Sequence, residues 1–597
     1  MQPDSEKALS ALKSGDLATA CELFDQTIEA ETDTRCLLQA ALCYRSANRL
    51  NDALSVLKKL DDMGQTNSPA LLLRAEIFCA VDRHHQALPL YRQLSEINDK
   101  RMTYSVALGF FQCGAVESAA RLAASIAEDQ DDKLASQARL LQGRCMAALE
   151  QYEEAEGLFA SVDSPPNLKA AAQYRKARLD LHRGHFSSAE QSLRDLLKLD
   201  EPPRGVTEVM LQTLIHSGQL ENARALARDV SDTSLDLACL RHATDLLTEM
   251  GDTDPLRPLQ RCWERSPSPP LMRELVTRHL ALDHTAEAQQ LIDHYAQTFG
   301  RDHHWQWGHA KQLFQAGDFV TLLDEEKTQQ SDLLEIYCEA CFAQGRYTEA
   351  LQAAQQLCQA SPADQYFVAL LVTALRCLDD PRYRVLIDPD RLVESISLSS
   401  HHDSALTDPA FWPAVADALA AHHAMQLAPL LQSVEDGVQT PGNLLTQAQQ
   451  PALSALKSMI ERTAGTFFSS DRLLELPDAH PLVMSRPSHP RMHASWAIRG
   501  QSGTFHRSHV HSKGWYSGTC YVEVPASISR DSDAGHLVLG QPPFATKDHL
   551  DPIATIQPEQ GKLVLFPSYV WHSTRPYSGE GWRQVIAFDF GKENRFV

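Results

Sequence analysis

The chain has no run of apolar residues near the ~18 that a membrane-spanning helix needs, although 43% of its 597 residues are hydrophobic. Its opening residues, Met1 to Lys7, have none of the basic-then-apolar character of a secretory signal. The 13 cysteines follow no regular framework, so reduced thiols are expected rather than disulfides. Basic residues are in deficit, 55 Lys and Arg against 77 Asp and Glu, a net charge of −22. That balance excludes a nucleic-acid backbone or an anionic membrane surface as the main partner, since both demand cationic patches. Basic or neutral peptides stay open as partners. Together these absences predict a cytoplasmic protein, long enough for two or more domains.

What is present first is a repeat. A turn residue is followed five positions later by alanine in Gly15–Ala20, Asn48–Ala53, Asp82–Ala87, Gly114–Ala119, Glu150–Ala155, Gly184–Ala189, Gly218–Ala223, Asp283–Ala288 and Gly345–Ala350. Successive alanines up to Ala223 lie 33, 34, 32, 36, 34 and 34 residues apart. Weaker copies at Gly251 and Gly317 carry leucine in the alanine position. This is the period of tetratricopeptide (TPR) helix-turn-helix repeats. The turn residue ends the first helix, and the small alanine lets the second approach it closely. A right-handed all-α superhelix over residues 1–378 is expected, with a groove that binds protein or peptide.

Other features of the array read as structure. The pairs His84-His85, His303-His304 and His401-His402 diverge by about 100° on a helix and chelate poorly, so solvated histidines are expected. Cys338-Glu-Ala-Cys341 has no second pair and reads as core thiols. The pattern fades near 380. Residues 379–479 read as helix and loop packed on a C-terminal domain, with an amphipathic helix over Leu444 to Thr466. After Pro477 the chain turns to strands with Gly, Pro and Ser turns, and 480–597 reads as a β domain.

The chemistry sits in that last stretch. His509 and His511, at i and i+2 on an extended segment, share a face. His572 returns 61 residues after His511, beyond the apolar run Gly561 to Pro567, and Arg583 follows 11 later. In Arg583 to Phe590, alternation puts Arg583, Val585, Ala587 and Asp589 on one face. A close pair of ligands, a distant histidine and a basic residue suit a facial iron site that also holds a dicarboxylate. His506, three residues before His509, falls on the opposite face by alternation.

The ordered set Ser495 to Arg499, His509 to Gly518, Tyr521 to Pro525, Gly561 to Pro567, Trp571-His572 and Arg583 to Phe590 resembles the double-stranded β-helix (jelly-roll) core of Fe(II)/2-oxoglutarate-dependent oxygenases. It is most similar to the bacterial group that carries N-terminal TPR repeats, with a fainter echo at Asp436 to Thr440. The resemblance implies Fe(II), 2-oxoglutarate and O₂, with His509, His511 and His572 as metal ligands. It also implies a hydroxylase acting on a protein or peptide brought by the array. Arg583 would fork onto the distal carboxylate of 2-oxoglutarate in a bidentate manner that lysine cannot copy. By resemblance Tyr521 would donate its hydroxyl to the same cosubstrate, Ser517 and Trp515 would shape its pocket, and Trp571 would pack beside the distal ligand. Asp589 would orient Arg583 or a ligand histidine. His511 stands where the commonest pattern has a carboxylate, which leaves three sets open: three histidines, His509 and His572 with water, or another arrangement. Two functional alternatives also stand, a TPR adaptor with a degenerate or sensing barrel, and a cupin-like three-histidine dioxygenase that does not use 2-oxoglutarate.

Overall fold

The computed structural model describes residues 3–591, apart from 82, 129–132, 234–235, 325–330, 399–405, 407, 424–429, 441–442, 448–449, 488–489, 529–531 and 548. The expected turn residue Asp82 and the pair His401-His402 lie outside the described residues. The chain forms two compact units, residues 1–168 and 169–597.

The first unit is helical, its pairs including Pro3–Ser14 with Leu17–Thr27, Thr34–Ser46 with Leu50–Asp62, and Lys100–Gln112 with Val116–Ala127. The repeat signature has a direct physical meaning here. Gly15, Asn48, Gly114 and Glu150 all have positive φ, the left-handed residue that ends a helix and turns the chain. Ala20, Ala53, Ala87, Ala119 and Ala155 have no exposed surface. First helices are capped by Asp or Asn: Asp33 accepts from the Cys36 amide at 2.8 Å, and Asn67 and Asp99 cap theirs in the same way.

The second unit continues the pattern and then changes class. Gly184, Gly218, Gly251, Asp283, Gly317 and Gly345 have positive φ, and Ala189, Ala223, Ala288 and Ala350 are fully buried. The last regular pair is Tyr347–Ala360 and Gln365–Cys377. Beyond it, among the described residues, nine strands build one curled antiparallel sheet: β1 (Glu394–Ser397), β2 (Val434–Gln439), β3 (Arg491–His509), β4 (Tyr516–Glu523), β5 (Leu537–Leu539), β6 (Ala554–Ile556), β7 (Lys562–Pro567), β8 (His572–Thr574) and β9 (Arg583–Gly591). Neighbours run β1-β7-β4-β9-β3-β8-β5-β6, with β2 also on β3. The long β3 pairs with β9 through its first half and with β2 and β8 through its second, and this change of partner curls the sheet.

Two strands thus come from the stretch between 379 and 479. The faint echo at Asp436 to Thr440 is largely β2, and Thr440 continues it by exchanging hydrogen bonds with Ala497. The helix expected over Leu444 to Thr466 is two, Leu444–Gln447 and Pro451–Phe468, because Pro451 sets the start of the second. Phe467 and Phe468 of the second pack on Trp515, Tyr516 and Phe590. Gly561 opens β7 at φ 77°, and a Cβ there would stand 2.9 Å from the Trp412 ring.

The end of the array and the sheet share one core. Phe342 stacks on Phe544 at 5.1 Å, Tyr366 meets Trp571 edge-on, and the Trp571 indole donates to Thr373 Oγ1 at 2.9 Å. Arg376 donates to the Gly540 and Asp551 carbonyls.

Candidate active site

His509 ends β3 and His572 begins β8, and the two are register partners across that strand pair. His511 follows His509 by two residues, and its backbone N–H donates to the Ser568 carbonyl at 3.1 Å. The result is a triangle. One ligand atom from each of His509, His511 and His572 lies within 4.8 Å of the others, and the ring centroids are 4.1–5.2 Å apart.

Each ring is held through Nδ1. His509 Nδ1 donates to the Arg507 carbonyl at 2.9 Å, and His572 Nδ1 to the Val570 carbonyl at 3.0 Å. His511 Nδ1 donates to Asp589 Oδ1 at 2.5 Å. With Nδ1 protonated and bonded, Nε2 carries the lone pair in all three rings, the tautomer a metal ligand needs. Burial, with the charge of neighbouring histidines, pushes His509 down to about 3 and His572 well below its ordinary value. Both rings are therefore neutral at physiological pH.

Asp589 is buried on β9. Burial alone would raise its pKa, but the charge and hydrogen bond of His511, with help from His493 and Ser517, bring it below the usual carboxylate value. It remains an anion under the His511 ring. Ser517 donates to the same oxygen at 2.7 Å and meets Ser568 Oγ at 2.9 Å. The hydroxyl of Ser517 is thus engaged in the network that fixes His511, and Asp589 orients that histidine rather than Arg583.

The triangle lies in a cavity of about 650 Å³, bordered also by Trp496, Tyr521, Phe566, Arg583 and Val585. Arg583 is 6% exposed, and its Nε has no hydrogen-bond partner. The Tyr521 hydroxyl is likewise buried without a well-formed hydrogen bond, and the Arg583 guanidinium lies 5.9 Å from the Tyr521 ring centre. Two buried polar groups with unmet capacity face one cavity. That costs stability unless a ligand satisfies them.

His506 departs from strict alternation. Its register partner is Thr574 while that of His509 is His572, so β3 gains one residue between them. This bulge brings His506 to the cavity too, its ring 6.1 Å from that of His509. Its Nδ1 is bonded to Ser433 Oγ at 3.0 Å, and Ser433 also reaches His509 Nε2 at 3.2 Å. Ser433 lies 76 residues from His509 in sequence, and no local pattern marks it. Trp515 points away from the cavity, donating to the Leu482 carbonyl. Trp571 anchors the start of β8 on helix Gln365–Cys377.

Residues 494–589 match the family model described as "Putative 2OG-Fe(II) oxygenase". This stretch is therefore a domain of the 2-oxoglutarate/Fe(II) oxygenase type. No curated protein matches the chain. Among solved structures, a tetratricopeptide repeat protein from Parabacteroides merdae is 17% identical, with 41% of this chain covered, 97% of that one, and a TM-score of 0.35. A pentatricopeptide repeat protein from maize is 13% identical, covering 64% and 57%, TM-score 0.36. An oxidoreductase of the 2OG-Fe(II) oxygenase family from Burkholderia pseudomallei is 11% identical, covering 35% and 89%, TM-score 0.21.

Proposed function

We propose that this protein is an Fe(II)/2-oxoglutarate-dependent oxygenase that hydroxylates a side chain of a protein or peptide held by its helical repeats. One observation supports the reading: one ring nitrogen from each of His509, His511 and His572 lies within 4.8 Å of the others, and the same cavity holds Arg583 and Tyr521 with unmet hydrogen-bonding capacity. The donor set fits the group. Three imidazoles suit divalent iron, and a guanidinium beside a phenol suits a carboxylate.

Bound iron, 2-oxoglutarate and O₂ would supply oxidative decarboxylation coupled to hydroxylation of a C–H bond. The chain's own work is orientation. The Arg507 and Val570 carbonyls and the Asp589 carboxylate fix the three rings. Arg583 and Tyr521 would hold the far carboxylate of 2-oxoglutarate, with Ser517 acting through His511. Ile498, Phe566 and Val585 keep the inner wall apolar. In this reading the array is residues 1–378, residues 379–479 pack on the oxygenase domain, and 480–597 form its double-stranded β-helix core. The length of the array argues for a macromolecular substrate, because a small metabolite needs no such surface.

Anaerobic Fe(II) titration with and without 2-oxoglutarate tests this, followed through the visible charge-transfer band of chelated cosubstrate. Wild type is expected to show the band, and His511→Ala and Arg583→Ala to lose or weaken it. A band that survives His511→Ala means a two-histidine site, and no band at all overturns the assignment. The peptide reading fails if a small metabolite stimulates 2-oxoglutarate turnover equally after removal of residues 1–168.

A further inference from the structure

A second cluster of ligand-type side chains lies in the first unit. Cys79 is near the end of helix Ser68–Ala80, His84 opens helix His84–Leu94, and Cys113 caps the end of helix Lys100–Gln112. The cysteines stand one repeat apart in sequence, yet their sulfurs are 3.0 Å apart. One ligand atom from each of the three residues lies within 4.8 Å of the others.

This arrangement departs from the expectation for His84. His84 is no solvated histidine, being 7% exposed, and Cys113 is 8% exposed. The array supplies a control of its own. Cys21 and Cys43 also meet, sulfur to sulfur at 3.5 Å, but burial drives Cys43 up to about 12 and keeps it a thiol. Cys338 and Cys341 are fully buried, and burial raises Cys338 well above its ordinary value. Cys79 and Cys113 differ in that His84 brings a third ligand-type atom to the same cluster. The Tyr91 hydroxyl lies 3.7 Å from Cys79 Sγ.

We propose that Cys79, His84 and Cys113 form a binding site for a soft or borderline divalent metal ion, zinc above all, with water completing the coordination. Two sulfurs and an imidazole are a zinc-type donor set, whereas the three imidazoles of the oxygenase domain suit iron. Ligand atoms on tetrahedral zinc stand about 3.3–3.8 Å apart, given bond lengths of about 2.0–2.3 Å. The present sulfur–sulfur distance of 3.0 Å lies just short of that spacing. Two thiolates and a neutral imidazole balance the charge of a divalent ion, which suits a site this buried. The ligands come from consecutive repeats, so the metal would staple helices Ser68–Ala80 and Lys100–Gln112 together.

The proposal is independent of the oxygenase assignment, and its test separates them. Reduced full-length protein is titrated with Co(II), which takes zinc sites and reports thiolate ligands by near-ultraviolet charge transfer. A site of imidazoles alone gives no such band. The band is expected to saturate at one equivalent, to vanish in Cys79→Ser and Cys113→Ser, and to persist in Cys21→Ser. Its absence from wild type, or its survival in either of the first two variants, overturns the proposal. A readout on wild type removes dependence on how the variants fold: zinc should slow alkylation of Cys79 and Cys113 by about tenfold or more, since a coordinated thiolate is a poor nucleophile. Equal alkylation with and without zinc overturns it, as does a disulfide joining the two cysteines in protein kept under reductant.

Discussion

Histidines crowd together in several parts of the second unit, and two of these places differ in what their nitrogens face. In the repeats, His303 and His304 are neighbours with ring centroids 5.4 Å apart. His303 Nε2 lies 3.0 Å from both the Arg273 guanidinium and the Asp332 carboxylate, which pair directly at 2.6 Å, so it sits against an existing ion pair. In the sheet, His509, His511 and His572 are tied from behind through Nδ1 and present Nε2 to one another. Proximity alone therefore does not make a metal site. The backbone must turn the lone pairs inward, and no cation may already occupy the space between them.

The sharpest way to break the contrast is to remove one ring from each place. His572→Ala should lower Fe(II) affinity by about 100-fold or more, since a ligand is lost, while His303→Ala should leave it unchanged. Equal losses, read by calorimetric Fe(II) titration, would sink the distinction. Asp589→Asn comes next. It keeps the shape but removes the charge that holds His511, and an affinity loss of about 10–100-fold is expected. No change in affinity would show that His511 needs no carboxylate.

The array carries a pH dependence of its own. Burial, reinforced by Asp245, raises Glu249 to about 8, and Glu335 is raised to about 7, chiefly by burial. The folded state thus keeps protons that the unfolded chain releases near its ordinary carboxylate value. The associated stability is present at low pH and falls as pH rises from about 4.5 toward 8. Glu249→Gln should remove part of that slope and stabilise the protein by about 1–2 kcal/mol at pH 8. A denaturation midpoint that falls with pH as steeply as in wild type would refute it. The smallest expected effect is at a turn: Asp283 has φ 59°, so Asp283→Gly should stabilise by about 0.5 kcal/mol. A lower melting temperature would be the wrong sign.

The repeats were readable because their signal is local and recurs. Each turn residue needs a left-handed backbone, each alanine needs room, and both requirements return with every repeat. Even the non-glycine turns, Asn48, Glu150 and Asp283, take that conformation. The sheet was readable where period two holds, as in Arg583, Val585, Ala587 and Asp589, which all border the cavity. It was not readable where β3 inserts a residue, since one bulge moved His506 from the far face to the near one. Ser433 and strand β1 were beyond reach for another reason, and β2 showed only as the faint echo at Asp436 to Thr440. They join the sheet through pairings that only the folded chain supplies, and four to six residues carry too weak a period. His84 was misread because a helix start lies against the end of the next repeat's helix, a neighbour that helical angles within one element do not reveal.

The tie between Trp571 and Thr373 bears on how this protein can be divided. The residue before His572 is seated on helix Gln365–Cys377, and Tyr366 and Phe544 close around the same indole. A fragment starting at residue 379 would leave that indole, Phe544 and the carbonyls that Arg376 caps facing water. Such a fragment is expected to be insoluble or to melt without a cooperative transition, whereas one starting at residue 169 should keep both. The domain that carries the three histidines thus reaches into what the sequence presents as the repeat array, and the last repeats form the wall against which the strand of His572 is built.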